Sequence, residues 1–508
     1  MKKLITSFAA AFLALSAGAT DYTGSLTVSV DGTAATPQTS TINVEQQSNG
    51  KYTLSIKDFN FAGIQVGDVV VPDIEGKNYS GAGITTIAAN TKVTLNMFGE
   101  LPLVLSGRFT DKELAAEIDI EVAALEQTVN VDFSTLTSQL PNSGFENFHQ
   151  VTYGQKSQYK SQEANGWHSF MSATGSFSSV VATAVHTYQS DEVRSGAKGD
   201  SCIKVTSTVL DMSILGKYSA NGTITTGRLN AGSMTADSKD NNTFADFSST
   251  DKDVNGDPYY ALLSTRADSI SVWVKFHAGN GNKNPYASIS ALISNGGYVQ
   301  DPQVDTYKGN IVAQAGKSNI ASDDNWKRVS APFVYATDDA PQGALVTIST
   351  CAVPSGGSVD QNDPDVIYVD DIALIYNADI VLATFKDNEI SIDEATKTGK
   401  IETSGSYSAS DLKVVTNGRD AKVNVEIKQE GGVDYYEVAV FSADLKTVNI
   451  YKFYVNGTPA TAVENVDAAE ATVIAIYNLN GQQVSNMTVP GIYIVKMSDG
   501  TANKVCVK

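Results

Sequence analysis

Apolar and polar residues alternate along most of this chain, in short runs that end at Gly, Asn or Asp. Residues 26–30 (LTVSV), 52–56 (YTLSI) and 423–427 (VNVEI) each place an apolar side chain at every second position. A period of two predicts β-strands with one buried face and one exposed face. Long amphipathic helical patterns are essentially missing. The pattern therefore predicts an all-β protein built of antiparallel strands, and a length of 508 residues suggests three or four domains.

The first residues have the pattern of a secretory signal peptide. Lys2 and Lys3 precede an apolar run to about Leu15, and Ala17-Gly18-Ala19 forms a small-x-small cleavage site. We therefore expect residues 1–19 to be removed and the mature protein to be secreted or held at the outer cell surface. No later apolar run approaches the ~20 residues that span a bilayer, so we expect no transmembrane segment.

The charge balance excludes one class of partner. Without Lys2 and Lys3, 34 basic residues face 56 acidic ones, a net charge of about −22. Such a chain repels nucleic acid and anionic lipid. We therefore expect no nucleic-acid binding.

Residues 20–134 contain the strings YTGSLTVSV, VGDVVVPDI and LAAEIDIEV. These resemble the calycin-like domain of secreted bacterial proteins, which implies an eight-stranded up-and-down barrel. A barrel of this size encloses either packed side chains or one small ligand. The segment has no Trp and therefore lacks the Gly-x-Trp signature of lipocalins. We favour a folded spacer, and the sequence leaves ligand binding open.

Residues 140–377 open on LPNSGFENF and close on DVIYVDDIALIYN, with DSISVWVKF between them. These strings resemble jelly-roll carbohydrate-binding modules and, taken together, the putative carbohydrate metabolism domain of secreted bacterial proteins. The resemblance implies a jelly-roll β-sandwich that recognises a glycan or polysaccharide.

Two further domains are predicted after the jelly roll. Residues 378–457 contain about seven short strands, which suits an immunoglobulin-like sandwich. A linker near 458–470 leads to residues 471–508, which contain a turn at Asn480-Gly481, the strand GIYIV and the end KVCVK. This tail resembles the small C-terminal β sorting domain of type IX secretion and implies the type IX secretion machinery as a partner.

Aromatic side chains are the first candidates for sugar binding because a ring stacks on the apolar face of a pyranose. Trp167, Trp273 and Trp326 fall where jelly-roll modules keep a structural Trp. The alternation in SISVWVKF places Trp273 opposite the main core face. The candidate carbohydrate-binding residues are Trp273 and the loop residues Tyr259, Tyr260, Tyr286 and Tyr298.

Catalytic motifs are missing, and the catalytic residues stay unknown. A glycosidase needs two carboxylates about 5–9.5 Å apart, but no motif singles out a pair among 56 acidic residues. There is no GxSxG elbow, and four His without HExxH or CxxC spacing give a zinc site little support. The segment DKDVNGDPYY (251–260) begins like a calcium loop but has Leu262 at its twelfth position, so we favour a polar loop.

Three cysteines, Cys202, Cys351 and Cys506, are too few for a disulfide framework. The first two could pair across the jelly roll, but we favour two small buried hydrophobic residues.

A structural Ca²⁺ is predicted at the joined ends of the jelly roll. Asp370 shares strand parity with the core residues Ile372 and Leu374, and a carboxylate there is costly unless it is paired or bound to a metal. The resemblance implies the ligands Glu146 and Asp370 or Asp371, together with carbonyls near 195–199. A salt bridge to Arg194 or turn hydrogen bonding is the alternative.

The sequence thus predicts an exported carbohydrate-binding protein that acts through its central jelly roll. A glycoside hydrolase is the first alternative, and a structural surface protein without a glycan ligand is the second. Exposed aromatics on a curved face would favour binding, whereas a cleft with two close carboxylates would favour hydrolysis.

Overall fold

The structure is a computed structural model that describes residues 18–31, 33–61, 64–95, 99–197, 199–211, 216–457, 473–478, 483–484, 491–497 and 502–507. Ser178–Val181 is the one α-helix in these ranges. Short 3₁₀ turns lie at Ala123–Leu125, Gln155–Ser157, Phe170–Ser172, Asp305–Asn310 and Ala409–Asp411. The remaining regular structure is β-strand, which confirms the predicted fold class. No described helix has the length and apolarity needed to cross a membrane. Apart from Gly18 and Ala19, the predicted signal peptide lies outside the described residues.

The first unit is a closed up-and-down barrel. Apart from β2, neighbouring strands pair in chain order, and β1 also pairs with β9, so eight strands complete the ring. The two-residue β2 pairs with the end of β1. Every second side chain points inward, as in β8, and the inward apolar residues form one packed core. Its strands are β1 (Ala19–Val30), β2 (Thr33–Ala34), β3 (Gln38–Gln46), β4 (Tyr52–Phe61), β5 (Ile64–Tyr79), β6 (Ile84–Leu95), β7 (Gly99–Phe109), β8 (Leu114–Val122) and β9 (Gln127–Ser134).

The second unit is a two-sheet sandwich. The front sheet has the order β16-β26-β21-β23-β25, with β19 also on β26, and the back sheet has the order β12-β13-β27-β20-β24. Its strands are β10 (Phe148–Tyr153), β11 (Tyr159–Ala164), β12 (Thr187–Ser190), β13 (Cys202–Thr206), β14 (Thr208–Asp211), β15 (Lys217–Ala220), β16 (Thr223–Thr225), β17 (Arg228–Ala231), β18 (Asn241–Ala245), β19 (Ala261–Leu262), β20 (Ser269–His277), β21 (Tyr286–Ser294), β22 (Val299–Asp301), β23 (Ile311–Ala321), β24 (Asp323–Pro332), β25 (Val334–Tyr335), β26 (Gly343–Ser349) and β27 (Val366–Ile375).

Alternating residues of the two sheets build the sandwich core. Val272 and Val274 of the back sheet and Ile289 and Ile348 of the front sheet belong to one buried cluster. Trp167 joins this cluster, and its Nε1 donates to the Pro141 carbonyl oxygen at 2.9 Å, in agreement with a structural role. Cys202 and Cys351 are buried free thiols, as we favoured from the sequence.

The third unit is another sandwich, and four short strands follow it. A three-stranded sheet with the order β29-β28-β32 faces a five-stranded sheet with the order β30-β31-β35-β34-β33, and a separate hydrophobic core lies between them. The tail strands pair in the order β37-β36-β38-β39. The strands are β28 (Ile380–Phe385), β29 (Asn388–Ile390), β30 (Ile392–Asp393), β31 (Thr398–Ile401), β32 (Leu412–Thr416), β33 (Lys422–Glu430), β34 (Val433–Phe441), β35 (Val448–Val455), β36 (Val473–Asn478), β37 (Gln483–Val484), β38 (Gly491–Met497) and β39 (Ala502–Val507). The predicted linker lies outside the described residues.

The third unit folds back onto the barrel. Tyr79 of the barrel packs edge-on against Phe441, with ring centroids 5.1 Å apart, inside a buried apolar cluster shared by both units. Arg108 Nη1 donates to the carbonyl oxygens of Leu445 and Lys446 at 3.2 and 3.0 Å. The barrel is therefore joined to the rest of the molecule by a specific interface.

Candidate functional site

A groove of about 420 Å³ lies on the outer face of the front sheet. Ile289 and Ile348 point into the core, so Ser288, Thr347 and Ser349 beside them point outward and form the groove floor. The volume falls within the range of roughly 300–1,000 Å³ that is typical of small-molecule sites. We call this feature the front groove.

Three aromatic side chains line the front groove. Phe170 lies in a 3₁₀ turn, Phe177 precedes the short helix Ser178–Val181, and Tyr218 lies on β15. Tyr218 remains 46% exposed, although it is large and partly apolar. An exposed ring at a groove wall offers a flat apolar face for stacking.

Amide side chains also line the front groove. Asn230 on β17 faces Asn242 on β18, and Asn241 lies beside them. Asn242 Oδ1 and, elsewhere along the groove, Asn221 Oδ1 are buried and have no hydrogen-bond partner within the described protein. Oxygen acceptors beside exposed rings suit a ligand that has both hydroxyl groups and an apolar face.

Asp301 is the only carboxylate among the described residues that line the front groove. Burial raises the pKa of its carboxyl group above the usual value. A single carboxylate does not provide the acid and nucleophile pair of a typical glycosidase.

The aromatic residues singled out from sequence lie elsewhere. Trp273 is on the outer face of the back sheet, where the Arg194 guanidinium covers its ring at 4.8 Å. Tyr259 packs on His168, Tyr260 on Phe247 and Tyr298 between Phe244 and Tyr307, while Tyr286 is 40% exposed at the start of β21. None of these five lines the front groove. These five residues therefore do not form one site with the residues that line the groove.

Sequence reasoning missed Phe170, Phe177 and Tyr218 because their strings match none of the patterns used for binding loops. The one available signal was the dense mixture of Phe, Ser and Gly in residues 169–178, outside any alternating run. The folded chain brings this segment beside residues about 60–180 positions later.

A second, more open depression of about 590 Å³ lies on the back sheet. Tyr188, Lys204 and Tyr368 line it, together with polar loop residues. Its walls contain less apolar surface than those of the front groove, so it is the weaker candidate for sugar stacking. We call it the back depression.

Glu146, one of the predicted calcium ligands, is held by the loop that precedes β13. Glu146 accepts hydrogen bonds from the Asp200 and Ser201 backbone N–H groups at 3.1 and 3.4 Å. A Cβ atom at Gly199 would lie only 1.9 Å from Glu146 Oε1, so the glycine permits the loop to close over this carboxylate. The loop and the first strand of the sandwich are thereby joined through Glu146.

Asp370 and Asp371 have different environments because a β-bulge separates them from the regular strand. The β20–β27 register shifts here, and Asp371 has a φ of 44°. Asp371 pairs with the Arg194 guanidinium, whose Nε donates to Oδ2 at 3.0 Å, which is the salt bridge named above as the alternative. Asp370 is only 2% exposed, and its Oδ2 has no partner among the described residues.

The pKa of Asp370 reflects its burial and the charges around it. Burial, followed by the negative charges of Asp371 and Glu146, raises the pKa of Asp370 to about 7. An unpaired buried carboxylate beside two others fits a cation with oxygen ligands. Asp370 is therefore the unpaired carboxylate here, whereas Asp371 already has a partner, and a Ca²⁺ ion bound by Glu146 and Asp370 stays a prediction.

Comparison with known proteins gives one family match and several distant structural likenesses. A putative glycoside hydrolase of Bacteroides thetaiotaomicron is 12% identical, covers 58% of this chain and 87% of its own, and has a TM-score of 0.32. A putative glycoside hydrolase of Bacteroides vulgatus is 16% identical, covers 46% of this chain and 96% of its own, and has a TM-score of 0.29. A putative outer membrane protein of Bacteroides fragilis is 10% identical, covers 65% of this chain and 96% of its own, and has a TM-score of 0.19.

No curated protein matches the sequence. The family finding concerns the first unit alone: residues 19–135 match the model of the calycin-like beta-barrel domain, as the strings of that segment predicted.

Proposed function

We propose that the protein binds a carbohydrate, without cleaving it, in the front groove of its central sandwich. The observation behind this proposal is the combination of exposed and partly exposed aromatic rings with unpartnered amide oxygens around a cavity of about 420 Å³. A sugar ring presents C–H groups on one face and hydroxyl groups at its edge, and so matches both the aromatic rings and the amide oxygens of the groove. One or two stacked rings and a few hydrogen bonds correspond to weak affinity, on the order of micromolar to millimolar.

Hydrolysis is the competing proposal, and the groove argues against it. Asp301 is the one carboxylate on the described walls, whereas the retaining and inverting mechanisms both use two. The barrel, with its packed interior, acts as a folded support.

The proposal includes the location of the protein. The signal-like residues 1–19 and the sorting-like residues 471–508 support export and display at the outer surface, with the type IX secretion machinery as the export partner. A surface location would give the groove access to polysaccharide.

A glycan array probed with the full chain tests binding, and a reducing-end assay on every bound polysaccharide tests cleavage. We expect binding to one glycan class and no release of reducing ends. Release that disappears in Asp301→Asn but persists in Asp387→Asn, an exposed surface control, would establish the hydrolase instead. The absence of any bound glycan would favour the structural alternative.

A further inference from the structure

Four ionisable side chains from three segments converge beneath the hairpin β10–β11. His149 on β10 and Glu163 on β11 are cross-strand neighbours, and His149 Nε2 lies 3.9 Å from Glu163 Oε2. Asp253, from the loop 251–258, places its Oδ2 3.4 Å from His149 Nε2 and 3.4 Å from His168 Nε2. We call these four residues the histidine–carboxylate cluster.

The cluster is buried, and the atoms that face one another are unpartnered. The side chains of His168, Glu163 and Asp253 are 0%, 1% and 2% exposed, and that of His149 is 10% exposed. His149 Nε2, His168 Nε2, Glu163 Oε2 and Asp253 Oδ2 have no hydrogen-bond partner in the described protein. Leaving buried polar atoms unpaired is costly, so four in one place indicate a bound group.

The two carboxylates are held in the same way. Glu163 Oε1 accepts hydrogen bonds from the Ser169 backbone N–H at 2.6 Å and from its hydroxyl at 2.5 Å. Asp253 Oδ1 accepts from the backbone N–H groups of Asn255 and Asp257 at 2.9 and 2.8 Å. Each carboxylate therefore uses one oxygen to fix its orientation and leaves the other free. Hydrogen bonds of this kind orient ligands around metal ions.

The histidines are oriented by different means. His149 Nδ1 lies 3.0 Å from Asn165 Oδ1, an arrangement in which Nδ1–H donates and Nε2 keeps its lone pair. His168 exchanges backbone hydrogen bonds with Thr225 at 2.8 and 3.0 Å, and its ring packs on Tyr259 with centroids 4.5 Å apart. Its Nδ1 has no hydrogen-bond partner among the described residues, so packing holds the ring orientation.

The distances suit a metal better than hydrogen bonds. An N–H···O hydrogen bond spans about 2.7–3.2 Å, which is shorter than either 3.4 Å contact. Around a tetrahedral ion with bonds of about 2.0–2.1 Å, ligand atoms are roughly 3.4 Å apart, which is the distance of Asp253 Oδ2 from each histidine Nε2. Glu163 Oε2, at 3.9 Å from His149 Nε2, lies slightly farther out. Two imidazole nitrogens favour zinc over calcium or magnesium, which prefer oxygen.

We propose that the histidine–carboxylate cluster binds one Zn²⁺ ion through His149 Nε2, His168 Nε2, Asp253 Oδ2 and Glu163 Oε2. Among the described residues, His149, Asp253 and Asp257 are the group whose ligand atoms all lie within 4.8 Å of one another, so His168 Nε2 and Glu163 Oε2 would move toward the ion as it binds. Asp257 also holds the loop by accepting from the Gly166 N–H at 3.0 Å. The enclosed position and full set of protein ligands correspond to a structural ion.

The ion would join elements that are far apart in sequence. It links the hairpin β10–β11 to the 251–258 loop and to the segment that continues from His168 into the groove residue Phe170. In this proposal, the loop that the sequence analysis interpreted as a polar loop binds a metal ion together with two histidines. This proposal stands independently of the glycan proposal because its test measures metal binding.

The full chain, stripped of metal with a chelator, is titrated with ZnCl₂ by calorimetry and followed by thermal unfolding. We expect one equivalent of Zn²⁺ to bind and to raise Tm by mass action. Asp253→Asn keeps the side-chain oxygen that accepts hydrogen bonds from the loop backbone but removes the charged ligand. His149→Gln removes the ligand Nε2. Each substitution should weaken zinc binding at least 100-fold. Circular dichroism at low temperature checks that both variants are folded. The visible spectrum of the Co²⁺-loaded wild type reports tetrahedral nitrogen–oxygen coordination independently of the variants.

Two controls separate this site from others. His277→Gln removes an exposed histidine whose Nε2 lies 2.9 Å from Asp363 Oδ1, and Glu146→Gln alters the candidate calcium site. Both should retain wild-type zinc affinity. The absence of stoichiometric zinc binding, an unchanged affinity in Asp253→Asn, or equally tight binding of CaCl₂ at the same residues would overturn the proposal.

Discussion

His186 shows how a single buried side chain sets a pH dependence. It is fully buried in the sandwich, its Nδ1 lies 2.6 Å from the Thr206 carbonyl oxygen, and burial lowers its pKa to about 4. An unfolded histidine titrates near 6.5, so the unfolded state binds the proton first as the pH falls.

The stabilising contribution of neutral His186 is therefore present above pH ~6.5 and is lost progressively down to pH ~4. The loss is at most about 3 kcal/mol. We expect His186→Gln to flatten the fall in unfolding free energy across this window in urea titrations, whereas His277→Gln should leave it unchanged. The same slope in wild type and His186→Gln would contradict this assignment.

Asp370 gives the opposite pH dependence. Its pKa is raised to about 7, whereas an unfolded Asp titrates near 3.8, so without a cation the folded protein loses stability as the pH rises from about 4 to 7. In chelator at pH 8, Asp370→Asn should stabilise the protein by roughly 1–2 kcal/mol, a value reduced for screening, and at pH 4 it should have little effect.

Calcium provides the second half of that measurement. CaCl₂ should raise the Tm of the wild type at pH 8 but not that of Asp370→Asn or Glu146→Ala. Asp387→Asn, on an exposed side chain paired with Lys413, is the matched control and should respond like the wild type. A wild-type Tm that does not respond to calcium or to exhaustive chelation would exclude the ion.

At the scale of elements, alternation predicted strands well because a half-buried strand has one apolar face. Residues 26–30 and 423–427 lie in β1 and β33, and the barrel follows from such runs. Parity also predicted the burial of Asp370, but it did not predict the bulge that gives Asp371 a different partner. A register shift inverts parity locally and has no clear signature in one sequence.

The candidate sites were harder to predict because they join distant elements. The proposed zinc ligands His149 and Asp253 are about a hundred residues apart, and neither spacing nor motif connects them. The single rings Trp273 and Tyr260 gave no indication of which sheet face would be concave. Loop packing decides both features, and loop conformation is not encoded by a periodic pattern.

The C-terminal tail allows an element-scale prediction. Deleting residues 471–508 should leave the thermal unfolding of the remaining protein unchanged, because the large cores lie in residues before 458. In a host with type IX machinery, the truncated protein should accumulate in the periplasm, as measured by fractionation and surface labelling. Normal surface exposure of the truncated chain would refute the sorting role.

At the scale of the whole molecule, the barrel and the third unit share a buried interface. Lys77 pairs with Glu437, Lys446 Nζ lies 2.6 Å from Asp132 Oδ2, and Tyr79 packs on Phe441. Neither unit's sequence predicted this contact, since each has a complete core of its own.

Phe441→Ala should disrupt this interface and destabilise the protein by about 3–5 kcal/mol, the usual cost of deleting a buried ring. Calorimetry is expected to show the barrel unfolding separately from the remainder in the variant. Val334→Ala, on a side chain that is 65% exposed, should leave the wild-type profile unchanged. A variant that unfolds in the same single transition would show that the interface does not couple the two units.

The most direct test of the account compares two Tyr→Ala variants on opposite faces of the central sandwich. Isothermal titration of the full chain with its array-identified glycan is expected to show Tyr218→Ala weakening binding about 2- to 10-fold, because it removes a stacking ring of the front groove. Tyr188→Ala, in the back depression, should bind like the wild type. Unchanged binding in Tyr218→Ala together with lost binding in Tyr188→Ala would contradict the account and place the glycan on the back sheet.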